Sequence, residues 1–143
     1  IKAQLISGVI LRMKKINKSE SEWKELLSTR AYNITRKKGT EAPFSGDLYL
    51  NKDNGSYHCI CCDNILFQSN EKFDSGTGWP SFYDVDSNMS VHTKTDKSLG
   101  MSRVEALCMN CDAHLGHVFE DGPKPTGKRY CINSASLKFN NEK

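Results

Sequence analysis

The stretch CMNCDAHLGHVFEDGP (residues 108–123) combines two signals that together indicate the fold class. It opens with a C-x-x-C pair, which is typical of one half of a tetrahedral metal site. It continues into a largely apolar run with two histidines, which is typical of a β-strand. A second C-x-x-C pair lies in CICC (residues 59–62). The two pairs predict one structural zinc site with four thiolate ligands: Cys59, Cys62, Cys108 and Cys111.

Other interpretations of the six cysteines remain open at this point. The two pairs could be reduced thiols without a metal, or two local disulfides. An extracellular disulfide protein fits least well, because such proteins spread their cysteines to cross-link distant loops. Cys61 adjoins Cys62, and neighbouring residues seldom both reach one ion. Cys61 is therefore either a spare thiol or a redox partner.

The rest of the chain predicts a mainly β domain. LYLNKDNGSYHC (residues 48–59) favours a hairpin, with a strand at residues 48–50, a turn at Asn54-Gly55 and a return strand from Tyr57. Later β-type runs are separated by Gly, Pro, Asp and Ser. They lie at residues 64–68, 91–93, 103–107, 114–119 and 129–134.

Short helices are expected before this β region. Ser19 and Glu22 have the spacing of a capping box, and apolar residues at helical spacing predict a helix over residues 20–27. A second helical turn is expected at residues 28–32. We expect residues 1–18 to be an N-terminal extension, within which Met13 is a candidate start. A single domain is expected over residues 19–143.

The composition of the 143-residue chain limits its class further. A hydrophobic fraction of 37 % is enough for a small core, so a wholly disordered chain is not expected. A net charge of +3 is too weak for a protein that lives on nucleic acid. The longest apolar stretch, residues 5–11, is shorter than the roughly 20 residues that span a bilayer. We therefore expect no nucleic-acid or membrane partner, a monomer, and, from the reduced thiols, a cytoplasmic location.

The candidate nucleophile lies in GKRYCINS (residues 127–134). On a strand, Arg129, Cys131 and Asn133 would project from one face, and a guanidinium beside a thiol favours the reactive thiolate. Asn133 could hold a polar substrate group or fix a neighbour. The alternative is that Cys131 is a small buried apolar residue, as lone cysteines in β runs often are.

Histidines and a tryptophan are further candidates. His114 and His117 would lie on opposite faces of a regular strand, but Gly116 permits a bend that brings them together. They would then suit acid–base chemistry, whereas alone they would suit metal ligation or the surface. Trp79 lies in the glycine-rich SGTGWPSF (residues 75–82). It either fills the core or forms an aromatic wall beside a pocket.

The chain closely resembles the methionine sulfoxide reductase B family in five motifs that occur in the family's order. They are TRKKGTEAPFSG, CICC, KFDSGTGWPSF, CMNCDAHLGHVFEDGP and GKRYCINSASLKF, and they run from about Trp23 to Phe139. The resemblance implies a β-tent of two antiparallel sheets with helices at the amino end. It also implies reduction of the R epimer of methionine sulfoxide, mainly within proteins, and so the repair of oxidative damage.

The resemblance implies a role for each candidate residue. The thiolate of Cys131 attacks the sulfoxide sulfur, His117 helps to protonate the oxygen, and Cys131 becomes a sulfenic acid. The implied catalytic residues are Cys131, His117, His114, Arg129 and Asn133. The implied substrate-binding residues are Trp79, Phe119 and Asp121. The zinc ligands implied are the same four cysteines, and the metal holds the frame.

One departure from the family affects the expected reductant. Many relatives have a resolving cysteine where this chain has Thr77. The sulfenic acid is then reduced directly by thioredoxin or a small thiol, unless Cys61 substitutes; we favour direct reduction. A zinc-stabilised binding module without catalysis is the competing class, but it leaves Arg129, Cys131 and Trp79 without a use.

Overall fold

The computed structural model describes residues 16–142, which form two short helices followed by two antiparallel β-sheets. This confirms the predicted fold class. The predicted extension at residues 1–18 lies outside the described residues except for residues 16–18. Within the described part of the chain, no helix has the length and hydropathy needed to cross a membrane.

The two helices begin at the predicted signals. Helix α1 spans Glu20–Leu26 and begins at a complete capping box, in which Ser19 Oγ accepts from the Glu22 amide and the Glu22 carboxylate accepts from the Ser19 amide. Helix α2 spans Thr29–Thr35. Trp23 of α1 is buried, and the guanidinium of Arg36 lies 4.4 Å from its ring centre. This packing stabilises helices that are too short to be stable alone.

The small sheet has three strands in the order β2-β1-β9. They are β1 (Gly55–Cys59), β2 (Ile65–Gln68) and β9 (Leu137–Asn141). The large sheet has six strands in the order β3-β4-β8-β7-β6-β5. They are β3 (Lys72–Phe73), β4 (Ser81–Phe82), β5 (Val91–Asp96), β6 (Arg103–Cys108), β7 (His114–Phe119) and β8 (Arg129–Ile132).

The hairpin predicted at residues 48–59 is wrong. Residues 47–50 form turns, and β1 pairs instead with β2 and with the C-terminal strand β9. Gly55 has no positive φ; a Cβ there would lie 2.1 Å from the Asn140 carbonyl oxygen. The glycine therefore permits the close approach of β9, and the Asn-Gly signal marks this contact rather than a turn.

The core lies between the two sheets and is largely aromatic. Phe67 of the small sheet stacks on Phe82 of the large sheet, with ring centres 4.2 Å apart and planes 9° apart. Tyr57 meets the edge of the same Phe82 ring at 5.0 Å. Because β4 also pairs with β8, this aromatic cluster supports the strand that carries the candidate nucleophile.

Candidate active site and metal centre

One face of the large sheet carries most of the candidate residues. His117 of β7 lies directly opposite Cys131 of β8 on one side and Glu105 of β6 on the other. Directly opposed residues project from the same face of a sheet, with Cβ atoms about 5 Å apart. The backbone register therefore sets the separation of the thiol and the imidazole.

A cavity of about 120 Å³ opens on this face. Its lining includes five of the predicted site residues: Trp79, His117, Phe119, Cys131 and Asn133. It also includes Thr40, Arg103 and Gly116, which the sequence analysis did not propose. His114, Arg129 and Asp121 are not among the lining residues.

A bulge in β7 brings the two histidines to the same side. The register between β6 and β7 shifts by one residue between Ala106 and Leu107, so that His114 and His117 lie with ring centres 5.5 Å apart. A Cβ on Gly116 would lie 2.0 Å from the Cys131 carbonyl oxygen. Glycine is therefore needed for β8 to approach β7 here.

The thiol of Cys131 is subject to opposing effects. Burial raises its pKa, while the charge of Arg129 and hydrogen bonds from Thr77 and Arg129 lower it, and burial prevails. Arg129 thus favours the thiolate, as expected from the sequence, but the effect of burial on the pKa of Cys131 is larger. The resting group is a thiol that carries its own proton into the reaction.

Arg129 makes two further contacts besides the one to the thiol of Cys131. Its guanidinium forms a bidentate pair with Asp121, at 2.9 and 3.1 Å, and lies 4.5 Å from the ring centre of Phe119. The pairing with Arg129 lowers the pKa of Asp121. Asp121 is therefore placed to orient Arg129 and, through it, the aromatic ring at the cavity.

Asn133 and Trp79 are both fixed by the backbone of Glu41. Asn133 Oδ1 accepts from the Glu41 amide at 3.0 Å, and its Nδ2 donates to the Leu115 carbonyl at 3.1 Å. The Trp79 indole donates to the Glu41 carbonyl at 3.0 Å. These bonds favour the interpretation that Asn133 fixes neighbouring residues over the interpretation that it holds a polar substrate group. Trp79 lies outside the buried core cluster and lines the cavity, as expected of a wall.

Two buried carboxylates behind the histidines escaped the sequence analysis. Glu105 Oε2 lies 2.7 Å from His114 Nδ1, and Asp96 Oδ2 lies 2.7 Å from His117 Nε2. Burial lowers the pKa of His114. Lys38 reaches both carboxylates, at 3.2 Å from Asp96 and 3.3 Å from Glu105. Alternation along β6 is a sequence signal that places Glu105, like Arg103, on the histidine face. Asp96 had no such signal, because the sequence alone does not show that β5 pairs with β6.

The four predicted ligand cysteines come together, away from the cavity lining. Their sulfur atoms all lie within 4.8 Å of one another, with Cys59–Cys111 at 3.7 Å and Cys62–Cys108 at 3.5 Å. A tetrahedral Zn²⁺ with bonds of about 2.3 Å separates its sulfurs by about 3.8 Å. The cluster can therefore hold one metal ion, with no ligand position left for substrate.

The two cysteine pairs have the same local geometry. Cys59 ends β1 and Cys108 ends β6, and the carbonyl of each accepts from the amide four residues later, at 2.8 and 2.9 Å. Those residues, Asp63 and Asp112, have φ of 70° and 62°. Since β1 and β6 belong to different sheets, a bound ion would join the two sheets.

Cys61 lies beside the cluster, next to the sulfurs of Cys59 and Cys111, and also contacts helix α2. Its sulfur donates to the Thr35 hydroxyl at 3.3 Å. Cys61 is not among the residues that line the cavity. These contacts fit the interpretation of a spare thiol.

A thiol facing a histidine–carboxylate network across two strands, in a cavity with aromatic walls, defines the class as a thiol-dependent enzyme. Residues 27–141 match the family described as "SelR domain". The chain therefore belongs to the SelR family, whose curated relatives are methionine sulfoxide reductases.

Three relatives illustrate the similarity. A "Peptide methionine sulfoxide reductase MsrB" of Methanosarcina barkeri is 58 % identical over 132 residues, covering 92 % of this chain and 93 % of the relative. One of Leptospira interrogans is 54 % identical, covering 89 % of this chain and 97 % of the relative. The "Methionine-R-sulfoxide reductase B2, mitochondrial" of Rattus norvegicus is 50 % identical, covering 87 % of this chain and 76 % of the relative. The family expected from the sequence motifs is confirmed.

Proposed function

We propose that this protein reduces methionine-R-sulfoxide, free or more readily within oxidised proteins, to methionine, and so repairs oxidative damage. The observation that carries the proposal is the direct cross-strand pairing of Cys131 with His117 at the cavity. Family membership supports the same reaction.

The first step transfers the sulfoxide oxygen to the cysteine. The Cys131 sulfur attacks the sulfoxide sulfur, and the thiol proton passes through His117 to the oxygen. The bond thus formed between the two sulfurs then breaks together with the sulfur–oxygen bond of the substrate, as the oxygen with its proton bonds to the Cys131 sulfur. The products are methionine and a Cys131 sulfenic acid. The substrate sulfur gains two electrons and the cysteine sulfur loses two, so the step needs no outside proton or oxidant.

The cavity supports selection of one epimer. Trp79 and Phe119 offer an apolar wall for the substrate methyl group, and His117 offers a donor for the oxygen. With the sulfur directed at Cys131, the methyl group and the oxygen on the stereogenic sulfur each have one place. The opposite epimer would direct its oxygen at an aromatic ring and leave it without a hydrogen bond.

The second step regenerates the thiol. Two reducing thiols convert the sulfenic acid to the Cys131 thiol, giving one disulfide and one water. We propose thioredoxin or a small thiol as the direct reductant. Thr77 occupies the position of the family's resolving cysteine, and Cys61 contacts Thr35 rather than the cavity.

We further propose that the four-cysteine cluster holds one structural Zn²⁺. Cys59, Cys62, Cys108 and Cys111 would bind it as thiolates, and the ion would supply a cross-link rather than a reactive position. A cytoplasmic monomer without nucleic-acid or membrane partners fits this function.

Chiral chromatography of racemic methionine sulfoxide tests the proposal. After incubation with the protein and dithiothreitol, only the R epimer should disappear. The variant Cys131→Ser should lose at least about 10⁴-fold in rate, because no other group supplies the nucleophile. A matched Cys61→Ser variant should retain the wild-type rate. Persistence of both epimers with a metal-loaded protein would refute the proposed activity.

A further inference from the structure

We propose that Asp96 is a positioning residue for His117: its carboxylate fixes the orientation and tautomer of the imidazole and supports the positive charge that the ring acquires during proton transfer. This inference rests on the proposed function, but the structural part of it can be tested separately.

The contact between Asp96 and His117 is short and buried. Asp96 Oδ2 lies 2.7 Å from His117 Nε2, and the two side chains are 2 % and 11 % exposed. A hydrogen bond of this length to an ionised carboxylate is among the stronger ones in proteins. The hydrogen bond from His117, with those from Ser98 and Lys38, holds the pKa of Asp96 well below its usual range, so the group is a carboxylate at neutral pH.

Both oxygens of Asp96 are held in place. Oδ1 accepts from the Ser98 amide at 3.0 Å and from Lys38 at 3.2 Å. Oδ2 faces Arg103 at 3.5 Å as well as His117. The carboxylate therefore cannot turn freely, and a fixed acceptor holds the ring of His117 in one orientation.

This arrangement determines the tautomer of His117. In the neutral ring the proton must lie on Nε2, which faces the carboxylate, and Nδ1 is then an acceptor. Within residues 16–142, Nδ1 has no hydrogen-bond partner, so it is free to take the proton of Cys131. When it does, the ring becomes positive, and the negative charge of Asp96 stabilises it.

The surrounding charges predict opposite effects for Asp96 and Lys38. Charged and titratable groups surround His117 on all of the elements packed around it. The strands contribute Asp96 from β5, Arg103 and Glu105 from β6, His114 from β7, and Arg129 and Cys131 from β8. The segment after α2 contributes Lys38. The negative charge of Asp96 favours the protonated form of the thiol–imidazole pair, whereas the positive charge of Lys38 disfavours that form. A purely structural role for Asp96 predicts no such opposition.

The experiment measures the single-turnover formation of methionine by the metal-loaded full chain across pH. For Asp96→Asn, the amide can donate to Nε2 and impose the wrong tautomer, so the rate should fall about 100-fold or more with KM changed less than about threefold. On the alkaline limb of the profile of rate against pH, the thiol–imidazole pair loses its shared proton. This limb should move to lower pH by about one unit. For Lys38→Gln it should move to higher pH. Asp53→Asn, at an exposed site, should match the wild type.

Nitrogen NMR of histidine-labelled protein provides a readout that does not depend on activity. His117, assigned by comparison with His117→Asn, should be protonated on Nε2 in the wild type and not in Asp96→Asn. Any of three results would overturn the inference. The first is a rate for Asp96→Asn within twofold of the wild type, and the second is a shift of the alkaline limb in the same direction in Asp96→Asn and Lys38→Gln. The third is an unchanged tautomer of His117 in Asp96→Asn. If the wild type itself leaves the sulfoxide intact, the proposed function fails, and the NMR result alone decides this inference.

Discussion

At the scale of single residues, the reactivity of Cys131 is set by a balance between burial and a few polar contacts. Burial raises the pKa of the thiol, and Arg129 and Thr77 oppose this without reversing it. A resting thiol is also less easily oxidised than a thiolate. The residue therefore combines a protected resting state with a proton that is available when substrate binds.

The hydrogen bond from Thr77 is open to a direct test. Thr77→Val removes a donor to the thiolate, so the pKa of Cys131 should rise further. At pH 8 the thiolate fraction, and with it the rate of alkylation of Cys131 by iodoacetamide, should fall about tenfold. Mass spectrometry of the peptide that contains Cys131 measures this rate. Thr93→Val, on an exposed part of β5, is the matched control; equal rates in the two variants would show that Thr77 does not act on the thiol.

At the scale of secondary-structure elements, the pairing of β7 with β8 positions the groups proposed to react. His117 lies opposite Cys131 and Phe119 opposite Arg129, so one register aligns two functional pairs. The bulge in β7 adds His114 to the same face. Strand positions are more accurate than loop positions for such a purpose, because main-chain hydrogen bonds restrain them on both sides.

Gly116→Ala should disturb this pairing. The added Cβ would lie 2.0 Å from the Cys131 carbonyl oxygen, so β7 and β8 must separate. We expect a loss of about 1–3 kcal/mol in the free energy of unfolding, measured with urea, and a fall in kcat larger than the change in KM. Gly127→Asn should change neither the free energy of unfolding nor kcat. A Cβ at this position meets open space, and asparagine tolerates the positive φ.

The sequence predicted individual strands better than their partners. The run at residues 114–119 coincides with β7, the helix signal at Ser19 is correct, and the helical turn expected at residues 28–32 lies at the start of α2. The hairpin at residues 48–59 failed because Asn-Gly indicates a permissive backbone, which a turn and a close strand approach both require. Asp96 was missed for a similar reason: its role depends on the pairing of β5 with β6 and on Lys38, 58 positions away.

At the scale of the whole molecule, the four-cysteine cluster would join the two sheets through the proposed zinc ion. One pair follows β1 of the small sheet and the other follows β6 of the large sheet. The aromatic core holds the same two layers together elsewhere. A cross-link of this kind stabilises the folded state because it binds that state and not the unfolded chain.

Removal of the metal should therefore lower stability throughout the molecule. We expect one zinc ion per chain by elemental analysis, and a fall in Tm of at least about 10 °C after chelation or in Cys62→Ser. The adjacent variant Cys61→Ser should keep the ion, the Tm and the turnover with thioredoxin. A loss of thioredoxin-dependent but not dithiothreitol-dependent turnover in Cys61→Ser would instead identify Cys61 as a resolving cysteine.

The burial of the cluster bears on survival under oxidative stress. Oxidants that convert methionine to its sulfoxide also attack accessible cysteine sulfur. Cys59, Cys108 and Cys111 are at most 3 % exposed, whereas Cys62 and Cys131 are partly exposed and Cys131 opens onto the cavity. An oxidant from solution therefore reaches Cys131, whose sulfenic acid is an intermediate of the proposed cycle, more readily than it reaches these three buried sulfurs. Three of the four sulfurs that would hold the metal are shielded by burial, which protects the fold during the exposure that creates the proposed substrate.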